Sequence, residues 1–189
     1  LNPGQRLCGI VQGGADEELR KKSVAGLQEI GFDGYGIGGL AVGEDVETMY
    51  KVLGFTVPHL EEEKPRHLLG VGYPEQIIKA VSFGIDTFDC VIPTRNARHG
   101  DLFVNRKEGG YEVLKINNQK YSEDFTPVDN TCNCYGCLQH NRAYLRHLFM
   151  IKEPLAIRLA TMHNLRFYLN LMEKIRRAIE FDSFENLLQ

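Results

Sequence analysis

Between Leu7 and Ile92 a short apolar run gives way to a helical pattern, and the exchange recurs with no hairpin turn between the runs. The apolar runs cover residues 7–11, 34–37, 66–71 and 86–92, and the helical stretches cover 17–30, about 46–53 and 74 to about 83. Asp16 suits the N-cap of the first helix and Pro74 the first turn of the third. In the first helix Leu19, Val24, Leu27 and Ile30 are the expected core residues. Strands alternating with helices require parallel pairing with right-handed crossovers. A closed (β/α)8 barrel takes roughly 250 residues, whereas this pattern stops near residue 92. The expected α/β fold is therefore a four-stranded open sheet or half of a TIM barrel. The chain also begins without Met a few residues before a strand, as a fragment would.

From Gly100 the pattern changes. Residues 102–104, 111–113 and 114–116 read as short antiparallel strands with Gly109-Gly110 at a turn. A helix is expected over about 138–150, and a long one starts near Pro154. That helix keeps an apolar row at i+4 spacing: Leu155, Leu159, His163, Phe167, Leu171 and Ile175. The expected division is 1–99 for the strand–helix units and 100–189 for the small strands, the cysteines and the closing helices. No apolar run approaches the roughly 20 residues of a membrane helix.

Three of the five cysteines crowd into Thr131-Cys-Asn-Cys-Tyr-Gly-Cys137. An odd count with such crowding fits a metal in a reducing compartment, the cytoplasm by default, better than a disulfide framework. Cys132, Cys134 and Cys137 supply three thiolates, and closed structural zinc sites are commonly Cys3His. The fourth ligand is expected at His163, which the apolar row turns inward; His140 and His147 are the alternatives. A closed four-ligand site is structural, with no open position for catalysis. Cys8 and Cys90 lie in the predicted strands and read as buried thiols.

The net charge of −3 hides an asymmetry: residues 1–90 hold 8 Lys+Arg against 14 Asp+Glu, and the remainder holds 14 against 11. The positive second half suits a polyanion, though surface scatter accounts for it equally well. Four segments end the predicted strands, where α/β enzymes place their sites: Gln12-Gly-Gly14, Gly38-Gly-Leu-Ala-Val-Gly-Glu44, Gly70-Val-Gly72 and the stretch from Asp89 to Arg98. They lack both the P-loop lysine and the dinucleotide glycine pattern. Asp89 is carried by a strand into largely apolar surroundings, where a carboxylate is costly unless paired or used. On the strand alone, a pairing with an arginine such as Arg95 is the readier reading. Arg95, Arg98 and His99 form a basic cluster suited to phosphate and base-edge contacts, or simply a solvated loop.

Gly9-Ile-Val-Gln-Gly13, Gly31-Phe-Asp-Gly34, Gly38-Gly-Leu-Ala-Val-Gly-Glu44, Gly84-Ile-Asp-Thr-Phe-Asp-Cys90, Pro93-Thr-Arg-Asn-Ala-Arg98 and the C-x-C-x2-C…His-Asn pattern together resemble the tRNA-guanine transglycosylases, or queuine tRNA-ribosyltransferases. The resemblance runs over essentially the whole chain but only over the C-terminal half of the family's protein. It implies a (β/α)8 barrel with a zinc-binding insertion, of which this chain carries the last four strands, the zinc subdomain and the closing helices. Asp89 matches the family's nucleophile, which attacks the anomeric carbon of the wobble guanosine of tRNA, expels guanine and forms a ribosyl ester. A 7-deazaguanine base then displaces the enzyme.

The resemblance further implies that Gln12, Gly38, Gly39, Leu40 and Val42 read the base, with Val42 similar to the bacterial form that takes the small prequeuine-type base. Arg95 and Arg98 match contacts to the tRNA anticodon loop, and Tyr144 and His147 match a patch used for homodimerisation. The family's general acid–base aspartates lie in the half that this chain does not match. Little exchange is therefore expected from the chain alone, unless a complementing N-terminal half joins it. The competing reading is a non-catalytic, zinc-stapled tRNA-binding module or accessory subunit, which would not need Asp89.

Overall fold

The computed structural model describes residues 2–41, 43–106 and 108–188, and the chain divides into two compact units, one ending at Cys90 and one running from Val91 to Leu187.

The first unit is a parallel sheet with helical crossovers. Its strands β1 (Cys8–Val11), β2 (Gly34–Ile37), β3 (Arg66–Leu69) and β4 (Thr87–Asp89) pair in chain order, all parallel. The helices are α1 (Glu17–Ile30), α2 (Val46–Thr56) and α3 (Pro74–Ser82). Asp16 and Asp45 cap α1 and α2 by accepting the backbone N–H of Leu19 and Thr48. The two Gly-x-Asp motifs gain a structural meaning here. Gly31 and Gly84 hold φ of 82° and 93° just beyond α1 and α3. Two residues on, the Asp33 carboxylate accepts Leu7 N–H at 2.7 Å and the Asp86 carboxylate accepts Arg66 N–H at 2.8 Å. Each carboxylate thus fastens the start of the strand before it.

The row Val11, Ile37 and Leu68 is fully buried and anchors a core completed by Tyr35, Met49, Val52 and Leu53. Each such aliphatic side chain contributes about 1.5–3 kcal/mol by leaving water. In α1, however, only Val24 and Leu27 face this core; Leu19 and Ile30 are exposed, and the buried position is taken by Arg20. Cys8 is exposed and Cys90 half-buried, so neither is the buried thiol expected. Strand β4 is also shorter than expected. Pro93 lacks the N–H a ladder needs and suits a helix start, so Ile92–Arg98 forms α4 instead of extending the strand.

The second unit holds α4, the hairpin β5 (Asp101–Asn105) and β6 (Tyr111–Lys115), and helices α5 (Tyr135–Gln139), α6 (Arg142–Met150) and α7 (Pro154–Glu180). Residues 111–115 form one strand, not two. The helix expected over 138–150 is broken where His140 is extended and Asn141 caps α6, its side chain accepting Tyr144 N–H at 2.8 Å. Along α7, Leu159, His163, Phe167 and Ile175 are buried, as the i+4 row required. No helix among the described residues is long and apolar enough to cross a membrane.

Candidate active site and metal centre

Parallel register aligns Val11, Ile37, Leu68 and Phe88 across the first unit. One residue further on, the strand ends bring Gln12, Gly38, Leu69 and Asp89 level at the C-terminal edge. Side chains alternate along a strand, so this set lies on the face opposite the buried row, together with Ile10, Gly36, His67 and Thr87. Gly36 and Gly38 keep that face low in its middle. A Cβ on Gly38 would stand 2.5 Å from Gln12 Nε2, and one on Gly36 3.1 Å from Leu69 Cδ1. Gly39, at φ 70°, lies under the other end of the same amide, where a Cβ would meet Gln12 Oε1 at 2.7 Å. The structure thus brings Gln12, Gly38 and Gly39 together, with Asp89 at the same edge, at the end of β4. Leu40 is buried beneath the turn, and Val42 lies outside the described residues.

The loops carrying these residues are held by a side chain that sequence reading missed. The Arg20 guanidinium is fully buried. It donates to the Gly14 carbonyl at 2.8 Å, the Gly38 carbonyl at 2.9 Å and, more weakly, the Val11 carbonyl at 3.5 Å. One planar cation therefore ties the β1–α1 loop to the end of β2. Burial lowers its pKa, and the charge of Glu44 counters that. Glu44 also accepts the backbone N–H of Ala41, a non-glycine residue held at φ 60°. The only sequence signal for Arg20 was its place among the apolar positions of an amphipathic helix.

Asp89 departs from the expected apolar setting. Its side chain is 65% exposed, and its hydrogen-bond partner is His67, with Nε2 3.0 Å from Oδ1. Gly70 N–H lies 3.4 Å from the same oxygen. In the second unit, Arg95 and Arg98 are exposed, three residues apart on α4. Asn164, fully buried, anchors that helix by donating to the Pro93 carbonyl at 3.0 Å, while also donating to Asp101 O and accepting Phe103 N–H. Tyr144 and His147 are exposed on α6, and the Tyr144 ring stacks on His140 at 4.8 Å.

Cys132, Cys134, Cys137 and His163 converge in the second unit, all buried, their ligand atoms within 4.8 Å of one another. His163 Nδ1 is 3.3 Å from Cys137 Sγ and 3.8 Å from Cys134 Sγ. Zinc–sulfur bonds of about 2.3 Å arranged tetrahedrally space their ligands about 3.8 Å apart, so the cluster has the right size. The other ring nitrogen, Nε2, donates to the Phe103 carbonyl at 2.8 Å. This bond fixes Nε2 as a donor and turns Nδ1 toward the thiols. Cys134 caps α5, accepting Cys137 N–H at 3.4 Å. Burial alone would lower the His163 pKa, but hydrogen bonds to the Cys132 and Cys134 sulfurs outweigh it and raise it to about 9. Hydrogen bonds with Cys132 and Cys137 push the Cys134 thiol far down, while those with Cys132 and Cys134 push the Cys137 thiol up. Three soft thiolates and one oriented imidazole make a compact, closed metal site suited to structural zinc.

The family model described as queuine tRNA-ribosyltransferase matches residues 2–189. A queuine tRNA-ribosyltransferase of Vibrio parahaemolyticus is 55% identical over 188 residues, covering 100% of this chain and 48% of that protein. One from Actinobacillus pleuropneumoniae is 54% identical over 187 residues, covering 99% of this chain and 47% of that protein. The chain spans about half the length of these curated relatives. With the match running from one end of the chain to the other, it belongs to the queuine tRNA-ribosyltransferase family.

Proposed function

We propose that the chain is the nucleophile-bearing, C-terminal half of a tRNA-guanine transglycosylase. In this reading residues 1–99 are the last four βα units of a TIM barrel, and residues 100–189 are the zinc-bearing subdomain with the closing helices. Helix α4 belongs with the barrel by chain order and with the second unit by packing. The observation that carries the reading is the edge row of the sheet, where an exposed carboxylate, Asp89, stands level with the glycine-cradled amide of Gln12.

The reaction is a double displacement at the ribose of the wobble guanosine. An Asp89 oxygen attacks C1′, the C1′–N9 bond breaks and guanine leaves with the electron pair, taking up a proton from the acid–base groups of the N-terminal half. N9 of a 7-deazaguanine base, in queuosine biosynthesis, then gives up its proton to the acid–base groups of the N-terminal half, attacks C1′ and releases the carboxylate. Gln12 with the backbone of Gly38, Gly39 and Leu40, and with Val42, reads the base. Arg95 and Arg98 grip the anticodon loop, and Tyr144 and His147 form a homodimer face. The five free thiols suit a cytoplasmic setting.

The general acid–base groups belong to the N-terminal half, and such help contributes about 10²–10⁴-fold. The chain by itself is accordingly expected to show little exchange. Mixed with tRNA, a deazaguanine inhibitor and a complementing N-terminal half, it should form a denaturation-resistant adduct that Asp89→Asn abolishes. An adduct persisting in that variant would remove Asp89 from its role and favour a non-catalytic tRNA-binding module.

A further inference from the structure

The geometry points to His67 as a positioning residue that holds one oxygen of the Asp89 carboxylate and presents the other to the sugar; this rests on Asp89 being the nucleophile. His67 on β3 pairs in register with Thr87 on β4, and Leu69 with Asp89. The imidazole therefore lies on the same face as the carboxylate, one step back from the edge. Its Nδ1 is 2.8 Å from Thr87 Oγ1 and its Nε2 is 3.0 Å from Asp89 Oδ1.

Donor and acceptor rules decide the rest. An ionised carboxylate only accepts, so Nε2 carries the proton, and Nδ1 of the neutral ring must accept from the Thr87 hydroxyl. Thr87 thereby selects the tautomer, as a hydrogen bond to the second ring nitrogen ordinarily does. Both donors that reach the carboxylate, His67 Nε2–H and Gly70 N–H, fall on Oδ1, while Oδ2 has no partner among the described residues. Two donors on one oxygen favour a single orientation of the carboxylate and leave the other oxygen open.

The arrangement acts unequally on the two displacements. In the first, Oδ2 forms the bond to C1′, and Oδ1 becomes the ester carbonyl while still accepting from His67. In the second, the incoming N9 attacks C1′ as its proton passes to the acid–base groups of the N-terminal half, the C1′–Oδ2 bond breaks and its electron pair returns to the carboxylate. The returning charge spreads onto Oδ1, where two donors already point. Orientation helps both steps, but charge stabilisation helps the departure of the carboxylate and opposes its attack. Loss of His67 should therefore slow the second displacement more than the first.

Two measurements test this. In the chain itself, ¹⁵N NMR of the His67 ring should show a protonated Nε2 and an accepting Nδ1, with Thr87→Val shifting the tautomer balance. A ring protonated on Nδ1 in the unmodified chain overturns the assignment, whatever becomes of the nucleophile. In the chain joined by a complementing N-terminal half, His67→Ala should slow resolution of the tRNA adduct by the incoming base about 10- to 100-fold. Its formation should slow less, with KM for tRNA unchanged. His67→Gln, which keeps an N–H near Nε2, should recover most of the rate, and His67→Phe should not. Resolution at the unmodified rate in His67→Ala sinks the proposal while leaving Asp89 as nucleophile. An adduct that forms in Asp89→Asn sinks the underlying reading instead.

Discussion

A buried charge is tolerated when every polar atom around it is used, and two residues of this chain show how differently that is done. Arg20 satisfies backbone carbonyls of two loops from inside the first unit. Asp129 does the reverse in the second, accepting N–H of Asn105 and Thr131, the Asn105 amide and the Thr131 hydroxyl, at 2.7–3.0 Å. Burial on its own would push the Asp129 carboxyl up, but the hydrogen bonds from Asn105 and Thr131 outweigh it and hold the pKa below its ordinary 3.8. A folded-state pKa below the unfolded one gives stability that is present above about pH 4 and is lost as pH falls through the folded value. Asp129→Ala should lower stability by about 2–4 kcal/mol near neutrality. Its cost should shrink at acid pH, because the parent then loses the same bonds. Urea unfolding at neutral and acid pH would check this; a pH-independent difference would mean that the carboxylate's charge is irrelevant.

At the scale of elements, what the sequence disclosed followed from local chemistry. Helix α1, the parallel order and the inward row of α7 are written in caps and periodicity, so they were legible. So was the ligand set Cys132, Cys134, Cys137 and His163, because three clustered thiols need a fourth donor and the row of α7 supplies one. The break at His140-Asn141 was hidden because Asn141 serves as a cap only once the helix on either side is placed. The start of α4 was hidden because residues 90–92 are as apolar as a strand, and Pro93 overrules them. The metal site ties together three elements that also share a core: α5, α7 and, through the Phe103 carbonyl, β5. Chelation, or Cys134→Ser with His163→Ala, should abolish metal binding and cost the second unit several kcal/mol. Metal analysis together with thermal melting would show it. Unchanged metal content would reject the ligand set.

For the whole molecule, the least legible features were those that depend on partners across strands. His67 and Thr87 are unremarkable in sequence and acquire a role only when the register sets them beside each other and behind Asp89. Arg20 is likewise a surface residue by composition and an interior one by contact. The sheet of the first unit leaves β1 and β4 each with one unpaired side among the described strands, and Ile10 is 49% exposed on the open face. Unpaired edges beside exposed apolar side chains favour association. The chain should self-associate at micromolar concentration, and Ile10→Lys should reduce this, as light scattering would register. Equal scattering by the two proteins would mean that this face takes no part. A last consequence comes from two adjacent residues of α7. His163 grips the metal, and Asn164 grips Pro93 at the head of the helix that displays Arg95 and Arg98. Starving the protein of zinc would thus loosen the seat of that helix, so that, if the chain grips tRNA as proposed, a structural ion would be a silent governor of substrate capture.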